Sequence, residues 1–461
     1  MLSKQSFEQL NLGKEILENL KSLKYLEMTP IQAQALPFIL EGRDLIGQAN
    51  TGSGKTAAFG LGIVSKIDLT NSKPQALVLC PTLELAEQVC IEIRRLARFT
   101  NNLKVLSLCG GTEERHKAKS LEHGAHIIVG TPGRIKKLLE KKTLNVDAVK
   151  ILVLDEADRM LELGFIDEIN QIASFTPFGR QTLLFSATFP HGIKTLSASL
   201  QENAAQVTVD SQHQLNDIKQ LFFSVAEEEG KFEALLRLLA YYKPESAIIF
   251  CKSRDVSIKL SNLLKNQKIG SLSIHGDLDQ QDRTLVLTKF ANKSCCILVA
   301  TDVASRGIDI KDVQAVINYD LPSDHELYVH RIGRTGRAGQ EGLSLSLYTG
   351  KEEAYLESIA TYLKMPCEKV ELETLKVKKP YSLKPIMETI YISGGRKDNI
   401  RPGDILGALT KEAGLQGTEV GRIHIFEVNS YVAIAVEQVQ QAIKHLSIGK
   451  IKGKKYKVGK A

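Results

Sequence analysis

The sequence predicts an α/β chain: two parallel-sheet units in tandem, followed by a small α+β sandwich. Three observations carry that reading. Near-continuous apolar runs alternate with helical stretches through residues 1–208, the same grammar restarts near residue 218, and the C-terminal stretch runs β-α-β-β-α-β.

The first unit is read from QALVLC (75–80), KVLSLC (104–109), HIIVG (126–130), KILVLD (150–155) and TLLFS (182–186). Strands apolar along their whole length belong to a parallel sheet covered on both faces. Residues 203–217 turn polar and read as a connector. The second unit follows from SAIIFC (246–251), GSLSIHG (270–276), CCILVATD (295–302), AVINYD (315–320) and LSLSLYT (343–349). Tandem α/β units predict a ligand cleft between them. Residues 376–387, basic with two prolines, read as a linker. The tail is TIYIS, a helix over DILGALTKEAG, RIHIF, SYVAIAV, a helix over EQVQQAIKHL, and KKYKV. Domains are expected over 1–208, 218–375 and 388–461.

A chain of 461 residues exceeds one ordinary core, and 43 % hydrophobic with 25 % charged residues is a globular composition. No apolar run approaches the roughly 20 residues of a membrane span. Charges interrupt any signal core in MLSKQSFEQLNLGKEI. A cytoplasmic monomer with no membrane partner is expected. Seven cysteines, at 80, 90, 109, 251, 295, 296 and 367, include no CxxC pair and read as reduced thiols, not as a disulfide or zinc framework. Net charge is +7, yet from Lys376 onward 16 Lys and Arg face 7 Asp and Glu. A basic, folded tail on a slightly acidic body suggests a polyanionic partner.

The strongest local signal is Ala49, Asn50, Thr51, Gly52, Ser53, Gly54, Lys55 and Thr56, after the strand RDLIG. A Gly-rich turn exposes backbone N–H groups that wrap phosphate, and the following helix adds its N-terminal dipole. Lys55 is placed for the β/γ-phosphates and Thr56 for Mg²⁺, so ATP and Mg²⁺ are the expected cofactors. Ala49 stands where the strict pattern has Gly, and Gly-rich turns without phosphate are common. ILVLDEAD (151–158) supplies the second half, with Asp155 for the metal and Glu156 to orient or deprotonate water. Acidic residues at a strand end can otherwise cap a helix. HRIGRTGR (330–337) sets Arg331, Arg334 and Arg337 in a unit without a phosphate loop. They read as arginine fingers toward the first unit's nucleotide, or else as a solvated basic loop.

Over about residues 7–350 the motifs, in order, resemble the DEAD-box RNA helicase family. The resemblance implies two RecA-like domains that close on ATP and RNA. It further implies that Phe7, Tyr25, Thr29, Pro30 and Gln32 read adenine. Asp155 to Asp158 spell the family name, and SerAlaThr (186–188) couples hydrolysis to unwinding. RNA contacts are implied for Pro81, Thr82, Gly110, Gly111, Thr131 and Arg134 in the first domain. In the second they are implied for Gln280, Arg283 and Thr301 to Gly307. Asp309 is implied for the ribose, Arg334 and Arg337 for the finger, and His330 with Arg331 for an inter-domain network. Three positions depart from the pattern: Lys24 for Gly, Asn50 for Gln and Leu83 for Arg. The Leu83 change removes a cation from the first domain's RNA path.

GGRK (394–397), RPGDILGAL (401–409) and GKIKGK (449–454) resemble the DbpA-type RNA-binding domain, a divergent RRM-like fold. That resemblance implies large-subunit (23S) rRNA assembly, with pre-ribosomal particles as partners and an rRNA hairpin as target. Arg396, Lys397, Arg401, Lys450, Lys452, Lys454 and Lys455 are the expected contacts. Tyr391 and Tyr431 are candidate stacking surfaces, though Tyr431 fits a core position equally well. Asn429 and Ile434 take other places expected to be aromatic. A DNA translocase would share the two-domain engine without this motif set, and a non-catalytic scaffold would tolerate loss of Lys55, Glu156 or Arg337. ATPase rates with RNA, DNA or neither separate the three.

Overall fold

A computed structural model describes residues 5–50, 52–108, 121, 124–189, 191–209, 217–302, 310, 313–336, 341–377, 381 and 383–461. The chain falls into two compact units, one within Met1–His213, the other taking in Gln214–Arg306 and Ile310–Ala461.

The first unit holds β1 (Leu45–Gln48), β2 (Ala76–Leu79), β3 (Val105–Leu108), β4 (Ile127–Gly130), β5 (Ile151–Leu154), β6 (Gln181–Ser186) and β7 (Ala205–Thr208). They form one sheet in the order β3-β4-β2-β5-β6-β1-β7, parallel at every pairing. The pleat sends alternate residues to opposite faces. Val78, Val129 and Val153 join one core with Phe59 and Ile93, while Leu77, Ile128 and Leu152 join another with Met160 and Ile169. Two cores on one sheet explain why β2, β4 and β5 are apolar throughout.

The second unit repeats the plan with β8 (Ile218–Ser224), β9 (Ala247–Cys251), β10 (Ser271–Ile274), β11 (Ile297–Thr301), β12 (Ala315–Asn318), β13 (Gly342–Tyr348) and β14 (Glu368–Lys369). Its order, β10-β11-β9-β12-β13-β8-β14, is the same permutation, again all parallel. One expectation is corrected here. Part of the expected connector, Ala205–Thr208, is edge strand β7 pairing with β1. Only Ala205 and Val207 face the core, so half of its residues are polar and the stretch mimics a loop.

The tail belongs to the second compact unit. Its strands β15 (Met387–Ile392), β16 (Val420–Ile425), β17 (Ser430–Ala435) and β18 (Val458–Lys460) form an antiparallel sheet, order β16-β17-β15-β18. One face, with Ile390, Ile392, Val432 and Ile434, packs on Leu409, Ala442 and Leu446 of the two helical segments. On the other face Thr389 stands opposite Ala433, and neither is exposed. There Asn292 Nδ2 donates to Thr389 Oγ1 at 3.1 Å, and the Ser294 hydroxyl lies 2.7 Å from the same oxygen.

The described part of 376–387 is not a free linker. The Gly270 N–H donates to the Leu383 carbonyl at 3.0 Å, and the Tyr381 hydroxyl donates to the Pro244 carbonyl. Tyr381 and Leu383 pack on the second unit's core, giving the segment an apolar anchor that its lysines and prolines conceal.

Candidate functional site

The phosphate loop leaves β1 at the carboxyl edge of the first sheet. Gly52 and Gly54 take φ of +86° and +100°, open to glycine at little cost. A Cβ on Gly54 would run into Gln32 Nε2 and lie 2.9 Å from Thr29 Oγ1, so the loop is pressed against the helix Pro30–Glu41. Gln32 Nε2 donates to the Gly54 carbonyl at 3.2 Å, and its Oε1 accepts the Thr29 N–H at 3.0 Å. Lys55 opens the helix Lys55–Lys66, is buried, and donates from Nζ to the Ala49 carbonyl at 2.8 Å. Ser53 Oγ donates to the Asn50 carbonyl at 2.8 Å. Thr56 is the helix's second residue. Thr51 lies outside the described residues.

Phe7 is buried, with its ring edge-on to Tyr25 at 6.3 Å. The Tyr25 hydroxyl donates to Glu92 at 2.8 Å, and burial together with that carboxylate pushes its pKa up to about 12. Both aromatics thus pack the N-terminal segment in place, Tyr25 against the helix Leu83–Leu96. Lys24 has φ +61°, the left-handed conformation that a glycine adopts freely. The backbone here thus takes a conformation that glycine, the residue of the family pattern, would adopt without strain.

Asp155 follows β5 and is buried, and its Oδ1 accepts the Glu156 N–H at 3.1 Å. Glu156 sits at φ +53°, ψ +53°, a conformation unusual outside glycine. A buried aspartate and a helix-start threonine are hard oxygen donors, the set Mg²⁺ takes when phosphates and water complete its shell. Sequence reasoning gave Asp158 no role, yet its Oδ2 accepts Ala187 N at 3.1 Å, Thr188 N at 2.9 Å and Thr188 Oγ1 at 3.0 Å. It ties the acidic strand end to the SerAlaThr turn. Asp158→Ala strands those half-buried donors, and the first unit is expected to lose about 1–3 kcal/mol, read from its urea midpoint.

The strand order sorts these residues along the carboxyl edge. β5, β6 and β1 are adjacent and deliver Asp155, Ser186 and Ala49. β4 and β2, beside them, deliver the RNA candidates Thr131 and Arg134, then Pro81 and Thr82. Thr131 and Thr82 cap their helices, with Thr82 Oγ1 accepting Leu85 N at 3.3 Å. Leu83 packs onto the core. Gly110 and Gly111 lie outside the described residues.

In the second unit Gln280 and Arg283 occupy the first turn of the helix Gln280–Ala291, and Thr301 ends β11. Gly307, Asp309 and Arg337 lie outside the described residues. Arg331 is buried and bonded within its own unit. Nε and Nη2 donate to the two Asp302 oxygens at 2.7 Å each, and Nη1 donates to Asn318 Oδ1 at 3.0 Å and the Asp320 carbonyl at 2.7 Å. Its guanidinium also lies 5.0 Å over the Phe250 ring. Arg334, one turn on, is buried and its carbonyl accepts Val313 N at 3.4 Å.

Two cation-bearing loops of the tail are drawn together. Lys452 Nζ donates to the Asn399 carbonyl at 2.8 Å, drawing the 450–455 turn against the loop of Arg396, Lys397 and Arg401. Tyr391 and Tyr431 pair in register on the outer sheet face, half-buried, with ring centroids 5.7 Å apart. Phe426, which sequence reasoning missed, stands edge-on to Tyr431 at 5.8 Å. Ile434 faces the opposite, core side, so its place was never a stacking one.

Comparison with known proteins agrees with this layout. Residues 29–196 match the DEAD/DEAH box helicase model, 230–339 the helicase conserved C-terminal domain and 389–460 the DbpA RNA binding domain. The chain is 46 % identical to the ATP-dependent RNA helicase DbpA of Escherichia coli, covering 98 % of this chain and 99 % of that one. It is 37 % identical to DbpA of Bacillus subtilis, covering 99 % of both. Saccharomyces cerevisiae Dbp5, solved with RNA and ADP BeF3, superposes with a TM-score of 0.74 at 32 % identity, covering 80 % of this chain and 96 % of that one. The paired parallel sheets are therefore RecA-like, and the chain belongs to the DEAD-box ATP-dependent RNA helicases that carry a DbpA-type RNA-binding domain.

Proposed function

We propose that the chain hydrolyses ATP in response to RNA, locally opens duplexes, and is guided by its tail to a large-subunit rRNA hairpin in pre-ribosomal particles. The observation that carries this is one carboxyl edge holding Lys55, Asp155 and Glu156 beside a row of RNA candidates. In this reading Lys55 Nζ leaves the Ala49 carbonyl for the stronger, charged acceptor that a β- or γ-phosphate offers. Mg²⁺, held by Thr56 and Asp155, neutralises phosphate charge when bound. Glu156 orients water and accepts its proton, while Gln32 and Thr29 face adenine. Arg334 and Arg337 stabilise charge developing on the γ-phosphate.

The tail's role is supported by its charge and by its matched domain model. The protein works in this reading as a cytoplasmic monomer; among the described residues no helix is long and apolar enough to cross a membrane. RNA reaches Arg396, Lys397, Arg401, Lys450, Lys452, Lys454 and Lys455, with Tyr391 and Tyr431 as stacking surfaces. Truncation after Pro385 is expected to leave weak ATPase activity that responds alike to any RNA. The full chain should respond best to fragments carrying the hairpin, at much lower RNA concentration, with affinity falling steeply as salt rises. Equal stimulation of both forms by hairpin and scrambled RNA would reduce the tail to a general anchor.

A further inference from the structure

The two sheets share one strand order, so each residue of the ATP site has a topological counterpart in the second unit. β8 holds the place of β1, and the helix after each starts on a lysine: Lys55–Lys66 in one, Lys231–Tyr242 in the other. β12 holds the place of β5, and each is followed by a buried aspartate, Asp155 or Asp320. The loops between strand and helix differ. Where the first unit has Gly52 and Gly54, the second has Glu227, Glu228 and Glu229 before Gly230.

Lys231 has no exposed surface, and three carboxylates surround its ammonium: Glu228 at 3.2 Å, Asp320 at 3.4 Å and Glu352 at 3.2 Å. Burial alone would depress this lysine's pKa, but Asp320, Glu352 and Glu228 outweigh it and hold the charge above the ordinary value. An unpaired buried ammonium is costly, and an acidic loop repels phosphate. The protein's own carboxylates therefore stand where a nucleotide's phosphates would lie. Asp320 also carries the site onward. Its Oδ2 accepts Lys252 N at 2.8 Å, and its carbonyl is one of the Arg331 acceptors described above. Arg331 in turn clamps Asp302, which follows Thr301 at the end of β11, and lies one turn before Arg334.

We propose that Lys231 is a positioning residue, the carboxylate-filled counterpart of Lys55, which through Asp320 and Arg331 sets the turn bearing Arg334. The proposal rests on the reading that Arg334 acts on ATP. Because Lys231 is fully buried among its own carboxylates, it should govern turnover and not ATP affinity. In the full chain, Lys231→Met is expected to lower kcat for RNA-stimulated hydrolysis about tenfold or more, with KM for ATP within about twofold. Glu352→Gln, close in size and able to keep accepting from Thr349, should do the same to a smaller degree. Glu228→Gln, half-exposed, should leave kcat unchanged because water can replace it. Unchanged kcat in both Lys231→Met and Glu352→Gln overturns the proposal, as does a loss confined to KM. Should Lys231→Met not fold, Glu352→Gln alone decides on the same kcat criterion. Arg334→Ala, run alongside, separates the two readings. Full activity there sinks the finger assignment, whereas a dead Arg334→Ala beside normal Lys231→Met and Glu352→Gln sinks only the relay.

Discussion

Glu156→Gln is expected to bind ATP normally and to release phosphate, under saturating RNA, about a hundredfold or more slowly. The amide keeps the shape of the side chain and cannot accept the proton of an attacking water. Its backbone, at φ +53° and anchored to Asp155 Oδ1, should hold the same place, so binding is spared. Lys55→Ala fails earlier. Nζ is the side-chain cation that opens the phosphate-loop helix, and without it the loop offers phosphate N–H dipoles and hydroxyls but no positive charge. Nucleotide affinity should fall below detection in an equilibrium titration, and hydrolysis with it. Near-normal turnover in Glu156→Gln would show that water is activated elsewhere. Lys55→Ala that still binds ATP tightly would move the nucleotide off this loop.

Arg334→Ala should reduce hydrolysis by about three orders of magnitude, the scale on which arginine fingers act. ATP binding in the first unit should persist, since Lys55, Asp155 and Gln32 all belong to that unit. RNA binding by the basic end of the tail should persist as well. Single-turnover hydrolysis against nucleotide affinity makes the separation visible. Arg331→Ala is a different experiment despite its place in the same motif. Its guanidinium is already engaged by Asp302, Asn318 and Asp320, so its loss disturbs the second unit's own packing.

That contrast marks how far sequence carried the reading. Central strands such as β2, β5 and β9 were visible because two-sided burial makes every residue apolar. Edge strand β7 was hidden because one-sided burial leaves every second residue polar. The chemistry of Ala49–Thr56 and Asp155–Glu156 was legible because it depends on residues adjacent in the chain. The role of Asp158 depends on residues about thirty positions away, and that of Lys231 on Asp320 and Glu352, about ninety and one hundred and twenty away. No local pattern announces such partnerships. Phe426 closed the stretch RIHIF, read as a strand, without drawing a role; the structure ends β16 at Ile425, and only the fold shows that this ring meets Tyr431. The anchoring of the linker was hidden for a related reason: Tyr381 and Leu383 show their purpose only against the second unit's core.

The seat of Thr389 on Asn292 and Ser294 changes what kind of object the tail is. A sheet face closed at one row cannot offer that row to bases, so on that face the row left open is the half-buried one of Tyr391 and Tyr431. A connector bonded at Leu383 has little slack to let out. Tail and second sheet then form a single body, joined by packing as well as by the chain. The distance from the 450–455 turn to the second sheet is therefore set by packing within that unit, not by the length of the intervening chain.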